Sequence, residues 1–235
     1  MSDFVQKLRE NYEAVKGRIQ RACERAGRER SDVTLVAVTK YAKLEWVESL
    51  IEIGEINLGE NHPQQLIERS AKLVRHPVNW HLIGHLQSNK VKAVLPSAPW
   101  IHSIDSAKLV ELVNRRAGEL ELEPQVLLEV NVTGEGSKYG FSPDELRACW
   151  KSLCIWRGLR IRGLMTMAAA SDDPHTARPA FRALRSLRDE LRGTTPDKWH
   201  DLIDLSMGMT GDFEVAIEEG ATFVRIGSAL FEGLD

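Results

Sequence analysis

Apolar residues fall into short runs, and between them apolar positions recur every third or fourth residue. The run at 34–40 (TLVAVTK) is β-branched, has no polar alternation and stops at a lysine. It reads as a strand covered on both faces, as in a parallel sheet. Ahead of it, Phe4, Leu8, Tyr12, Val15 and Ile19 mark one face of a helix over residues 1–27, with Ser2 as cap and Gly27 as stop. Behind it, Leu44, Val47, Leu50 and Ile51 predict a second helix ending at Gly54.

The alternation continues to the end of the chain. Strands are predicted at 56–58, 80–83, 100–104, 125–132, 160–166, 201–206 and 222–226. Pro63 stands at a first helical position, a helix spans 89–95, and Asp105 is read as the cap of one running to about Gly118. Residues 142–145 (SPDE) form a capping box, a helix over 174–192 closes at Gly193, and one from 211 to 219 stops at Gly220. Eight strands alternating with helices imply a parallel sheet closed into a (β/α)8 TIM barrel, one domain over residues 1–235 with an extra N-terminal helix. An open doubly wound sheet needs a glycine-rich turn after the first strand, and 39–42 (TKYA) is not one.

A barrel collects function at the carboxyl ends of its strands. Those ends carry Lys40, Asn61, His85, Asn131, Ser206 and Arg225. Taken alone, Lys40 is equally compatible with a group set for chemistry and with a side chain leaving a strand end for water. The last two strands lead into 206–209 (SMGM) and 225–228 (RIGS), where barrels commonly bind phosphate through backbone amides. Gly227 and Ser228 open a terminal turn there. A lysine facing such a cradle suits a phosphorylated aldehyde held as a Schiff base.

Composition narrows the classes. The chain is 43% hydrophobic and 28% charged, which suits a globular domain with a sizeable core. With 31 basic and 34 acidic residues the net charge is −3, so no nucleic-acid footprint is expected. Arg18, Arg21, Arg25, Arg28 and Arg30 are interleaved with Glu24 and Glu29 and read as a solvated helix face. Cys23, Cys149 and Cys154 lack metal-ligand spacing and suit a reducing compartment. No stretch is apolar and long enough for a membrane span, and an N-terminus carrying Asp3, Glu10 and Glu13 reads as mature, so a cytoplasmic location is expected.

The motifs 35–40 (LVAVTK), 58–61 (LGEN), 80–90 (WHLIGHLQSNK), 101–105 (IHSID), 130–140 (VNVTGEGSKYG), 163–167 (GLMTM), 205–213 (LSMGMTGDF) and 224–228 (VRIGS) lie in collinear order over nearly the whole chain. In these stretches the sequence resembles the pyridoxal phosphate homeostasis proteins, which share the fold type III barrel of alanine racemase. The resemblance implies pyridoxal 5′-phosphate (PLP) bound as a covalent aldimine on Lys40. It implies Asn61 near the ring, a backbone contact from Met207, and Ser206, Arg225, Gly227 and Ser228 on the phosphate. Tyr41, in place of a more common small or polar residue, and His62-Pro63 depart from the usual pattern at the pocket mouth.

His81 and His85 are read as structural, Met165 and Met167 as barrel filling, and Lys138 as a weaker second amine. The function implied is a non-catalytic carrier or regulator in PLP homeostasis, acting as a monomer, with the cofactor as its ligand and apoenzymes as transient partners. Two alternatives stand beside it: an amino-acid racemase of the alanine racemase type, and a Schiff-base aldolase for a phosphorylated sugar. A racemase needs a second acid/base group, for which the chain offers Tyr12, Tyr41 and Tyr139; Tyr41, next to Lys40, is expected on the other side of its strand.

Overall fold

The apolar runs need cover on both faces, and the fold supplies it by closing the sheet on itself. In a computed structural model describing residues 3–134 and 139–234, eight parallel strands pair in sequence order and β8 returns to β1. They are β1 (Thr34–Val38), β2 (Asn57–Glu60), β3 (Asn79–Leu82), β4 (Trp100–Ile104), β5 (Gln125–Glu129), β6 (Arg160–Met165), β7 (Asp204–Ser206) and β8 (Phe223–Ile226). Closure is direct, with Thr34 opposite Phe223 and Ala37 opposite Ile226. The molecule is therefore the expected TIM barrel. Lys138 lies outside the described residues.

Helices α1 (Asp3–Arg25), α2 (Leu44–Ile53), α3 (Pro63–Lys72), α4 (Val91–Val94), α5 (Ala107–Glu119), α6 (Pro143–Leu153), α7 (Arg178–Gly193) and α8 (Phe213–Glu218) surround the strands. Two cores result. Val36, Leu127, Met165 and Phe223 fill the barrel interior, while the larger cluster lies between strands and helices. The Ser142–Glu145 capping box forms as expected.

Several sequence expectations are corrected. The basic face of the N-terminal segment is not simply solvated. Arg18 and Arg25 pair with Glu214 at 2.7 and 3.0 Å, and Arg28 donates to the carbonyls of Ile217 and Ala221, so these arginines fasten the N-terminal segment to α8 and the turn after it. The cap of α5 is Ser106, whose hydroxyl accepts from the Leu109 amide, because Asp105 instead lies 3.2 Å from His85. The seventh strand starts only at Asp204, since Leu202 takes a left-handed backbone (φ +42°) that interrupts an extended run. The fifth ends at Glu129.

Candidate functional site

The turn after β1 carries Lys40, and it is held from α3. Arg69 Nη1 donates to the Thr39 carbonyl at 2.5 Å and Nη2 to the Ala42 carbonyl at 2.5 Å. Arg69 Nη1 also meets Glu60 Oε1 at 2.5 Å, and the Thr39 hydroxyl donates to the same oxygen at 2.5 Å. Glu60 is fully buried; burial raises its carboxyl above the usual range, against the pull of Thr39 and Arg69. Gln65 adds a hydrogen bond to the Lys40 carbonyl at 2.9 Å. The backbone on both sides of Lys40 is thus fixed while its side chain faces a cavity of about 540 Å³ over the carboxyl ends of the strands.

Next to the Lys40 turn the cavity is bounded by two loops, 209–211 after β7 and 227–228 after β8, the strand paired with β1. The loops are tied by a 3.1 Å hydrogen bond from the Ser228 hydroxyl to that of Thr210. Gly208 lets the first loop bend: it has φ +91°, and a Cβ there would lie 2.6 Å from Ala216 Cβ. The Met209 amide donates to Asp212 Oδ1 at 2.6 Å, and the carbonyls of Gly227 and Ser228 accept from Leu230 and Phe231. The amides of Thr210, Gly211, Ser228 and Ala229 have no acceptor among the described residues. Four unused donors on two facing loops form a ready seat for an anion. Trp46 and Phe231, stacked at 6.0 Å between centroids, make an apolar side wall.

Arg225 enters from the barrel interior. It is 4% exposed, and burial lowers it to about 10, leaving it cationic at neutral pH. Its Nη1 donates to Ser206 Oγ at 2.6 Å and its Nη2 to the Thr166 carbonyl at 3.1 Å. Ser206 Oγ also lies 2.8 Å from His102 Nδ1, and His102 Nε2 lies 3.0 Å from His81 Nδ1. Burial brings His81 down to about 3 and His102 well below the ordinary imidazole value, so both rings are neutral. Arginine only donates, so Ser206 Oγ accepts from Arg225, and Ser206, His102 and His81 continue as one buried hydrogen-bonded chain. Glu129, on β5, feels the Arg225 charge, but burial and Asp105 lift its carboxyl to about 7.

The expected site residues separate into two layers. Lys40, Asn61, Arg225, Gly227 and Ser228 line the cavity. Ser206 lies beneath it, fully buried, with its hydroxyl engaged by Arg225 and His102. Met207 is also fully buried, and its amide donates to the Phe223 carbonyl at 3.2 Å. Asn61 is set by a close approach, since a Cβ on Gly84 would fall 2.0 Å from the Asn61 carbonyl oxygen. Met165 fills the barrel as expected, but Met167 is 41% exposed on the cavity wall. Tyr41 likewise lines the cavity, because Lys40 and Tyr41 occupy a turn in which strand alternation no longer applies. His81 is interior, whereas His85 stacks on Tyr139 at 4.3 Å. Glu60, Arg69, Thr210 and His102 escaped the sequence reading; three of them, Glu60 in LGEN, His102 in IHSID and Thr210 in LSMGMTGDF, lay inside motifs already singled out.

Comparison with known proteins supplies the relationship. Residues 6–235 match the family described as alanine racemase, N-terminal domain. The pyridoxal phosphate homeostasis protein of Aquifex aeolicus is 40% identical over 222 residues, 94% of this chain and 96% of the relative. That of Pseudomonas aeruginosa is 38% identical over 230 residues, 97% and 96% of the two chains. The structure of PipY from Synechococcus elongatus with PLP bound is 33% identical, covers 91% of this chain and 99% of that one, and superposes with a TM-score of 0.80. An alanine racemase of Clostridium difficile, at 13% identity and TM-score 0.71, covers 95% of this chain and 56% of its own and shares the fold alone. The chain belongs to the alanine racemase N-terminal domain family, among the pyridoxal phosphate homeostasis proteins.

Proposed function

We propose that this protein binds PLP as a Schiff base on Lys40 and acts in PLP homeostasis as a carrier or regulator, without turning over amino acids. The observation that carries the reading is Lys40 sharing one cavity with two loops whose four backbone amides lack acceptors among the described residues. PLP brings an aldehyde that a primary amine attacks and a phosphate that such amides bind. The residues fit that ligand. Gly227 and Ser228, with Thr210 and Gly211, receive the phosphate; Arg225 supplies a permanent charge, with Ser206 and His102 orienting its guanidinium; Asn61 flanks the ring. Met207 then contributes through the barrel ladder and not by a direct contact. PipY, a relative of this chain, has been solved with PLP bound, which supports the same ligand here.

The racemase reading has less support. Tyr12 is buried beside Glu55, Tyr139 is stacked on His85 outside the cavity lining, and Tyr41 shares a turn with Lys40. None of the three faces Lys40 from the opposite wall. The test is reduction of the PLP-loaded protein with borohydride followed by peptide mass spectrometry. The label is expected on Lys40 and absent in Lys40→Ala, which should fold normally because the side chain projects into the cavity. Label confined to Lys138 would overturn the assignment.

A further inference from the structure

The Lys40 ammonium does not stand free at the mouth of the cavity. Its Nζ lies 4.9 Å from the centroid of the Tyr41 ring, within the range of a cation–π attraction. Tyr41 is 83% exposed, so little packing holds the ring where it is. Here its evident partner is the amine next to it.

We infer that Tyr41 sets how readily Lys40 captures and releases the ligand, by holding the amino end of the lysine against its ring and away from the aldehyde. The inference rests on Lys40 being the attachment point. Capture requires the ammonium to lose a proton to solvent, the nitrogen to bond to the aldehyde carbon, and the carbonyl oxygen to depart as water. The nitrogen must leave the ring face to reach the aldehyde carbon, so the attraction opposes capture. Hydrolysis runs the same steps backward and regains it, so it favours release. Arg69 makes this possible by fixing the carbonyls of Thr39 and Ala42 on either side, which keeps ring and amine on one rigid turn. A protein that must surrender its ligand gains from such a bias.

The test compares wild type, Tyr41→Leu and Tyr41→Phe by stopped-flow absorbance of imine formation with PLP, by the rate of PLP loss to an excess of hydroxylamine, and by borohydride mapping. A surface cation–π pair is worth enough to change rates by roughly two- to five-fold. Tyr41→Leu should capture PLP faster and lose it more slowly by that factor, and Tyr41→Phe, which retains the ring face, should match wild type. Slower capture in Tyr41→Leu, or a Phe variant that behaves like Leu, would overturn the inference. Label on Lys40 in all three proteins with no kinetic difference would overturn it while leaving the binding site intact. Absence of label from Lys40 in wild type would overturn both readings.

Discussion

Arg69 Nη1 stands 2.5 Å from Glu60 Oε1, and the same nitrogen donates to the carbonyl of Thr39, so a buried ion pair holds the backbone that presents Lys40. Both partners come from outside the strand they organise. Removing one leaves the other charge uncompensated. Arg69→Met is expected to cost on the order of 3 kcal/mol in urea unfolding, and Glu60→Gln, which keeps an acceptor, markedly less. The Arg69 variant should also form the PLP adduct more slowly. A stable Arg69→Met protein with wild-type adduct formation would show that the turn holds without the pair.

Arg225 offers a planar, permanently charged donor set beneath the cavity, with two hydrogen bonds fixing its orientation. Arg225→Gln should weaken retention of PLP by at least ten-fold and retention of unphosphorylated pyridoxal far less. Parallel equilibrium dialysis of the two ligands decides the point. Equal losses would assign Arg225 to the ring or to the fold.

Glu129 gives a pH dependence with a definite sign. Its folded carboxyl titrates near 7 against an ordinary value of 4.5, raised first by burial and then by Asp105. A raised folded value means stability fully present below about 4.5 and lost as pH rises through about 7. The loss is on the order of 3 kcal/mol. Glu129→Gln should abolish that component, so urea midpoints of variant and wild type should diverge from pH 5 to pH 9 in the variant's favour. Parallel profiles would mean that Glu129 is ionised throughout.

Racemisation needs acid/base groups on both faces of the cofactor ring, and Tyr139, 62% exposed and stacked on His85, is the tyrosine that lies neither in the Lys40 turn nor on α1. The PLP-loaded protein should show no stereoinversion of L-alanine in deuterated buffer at enzyme-like rates. Inversion abolished by Tyr139→Phe would replace the carrier reading with the racemase.

The barrel was legible because each strand is a short apolar run bounded by turn residues, and eight such runs leave closure as the simplest way to cover them. The cavity lining was legible where a polar residue ends an apolar run, as at Lys40 and Arg225. Asp105 misled as a cap because an aspartate before a helix carries the same local signal whether it accepts from a backbone amide or, as here, faces a histidine in the loop after β3. Met167 misled because the Met165 pattern does not continue past the end of β6.

Local sequence thus determined the element order, the parallel barrel and the residues at its carboxyl rim, since periodicity and strand ends are written within a few neighbouring positions. The tertiary structure alone decided that Arg69 clasps the Lys40 turn, that Ser206 lies beneath the cavity under Arg225, and that two neutral histidines continue the chain from it. These partners are 19 to 104 residues apart along the chain. Their meeting follows from barrel closure, and their hydrogen bonds follow from burial, which leaves a polar group only the partners that the fold brings to it.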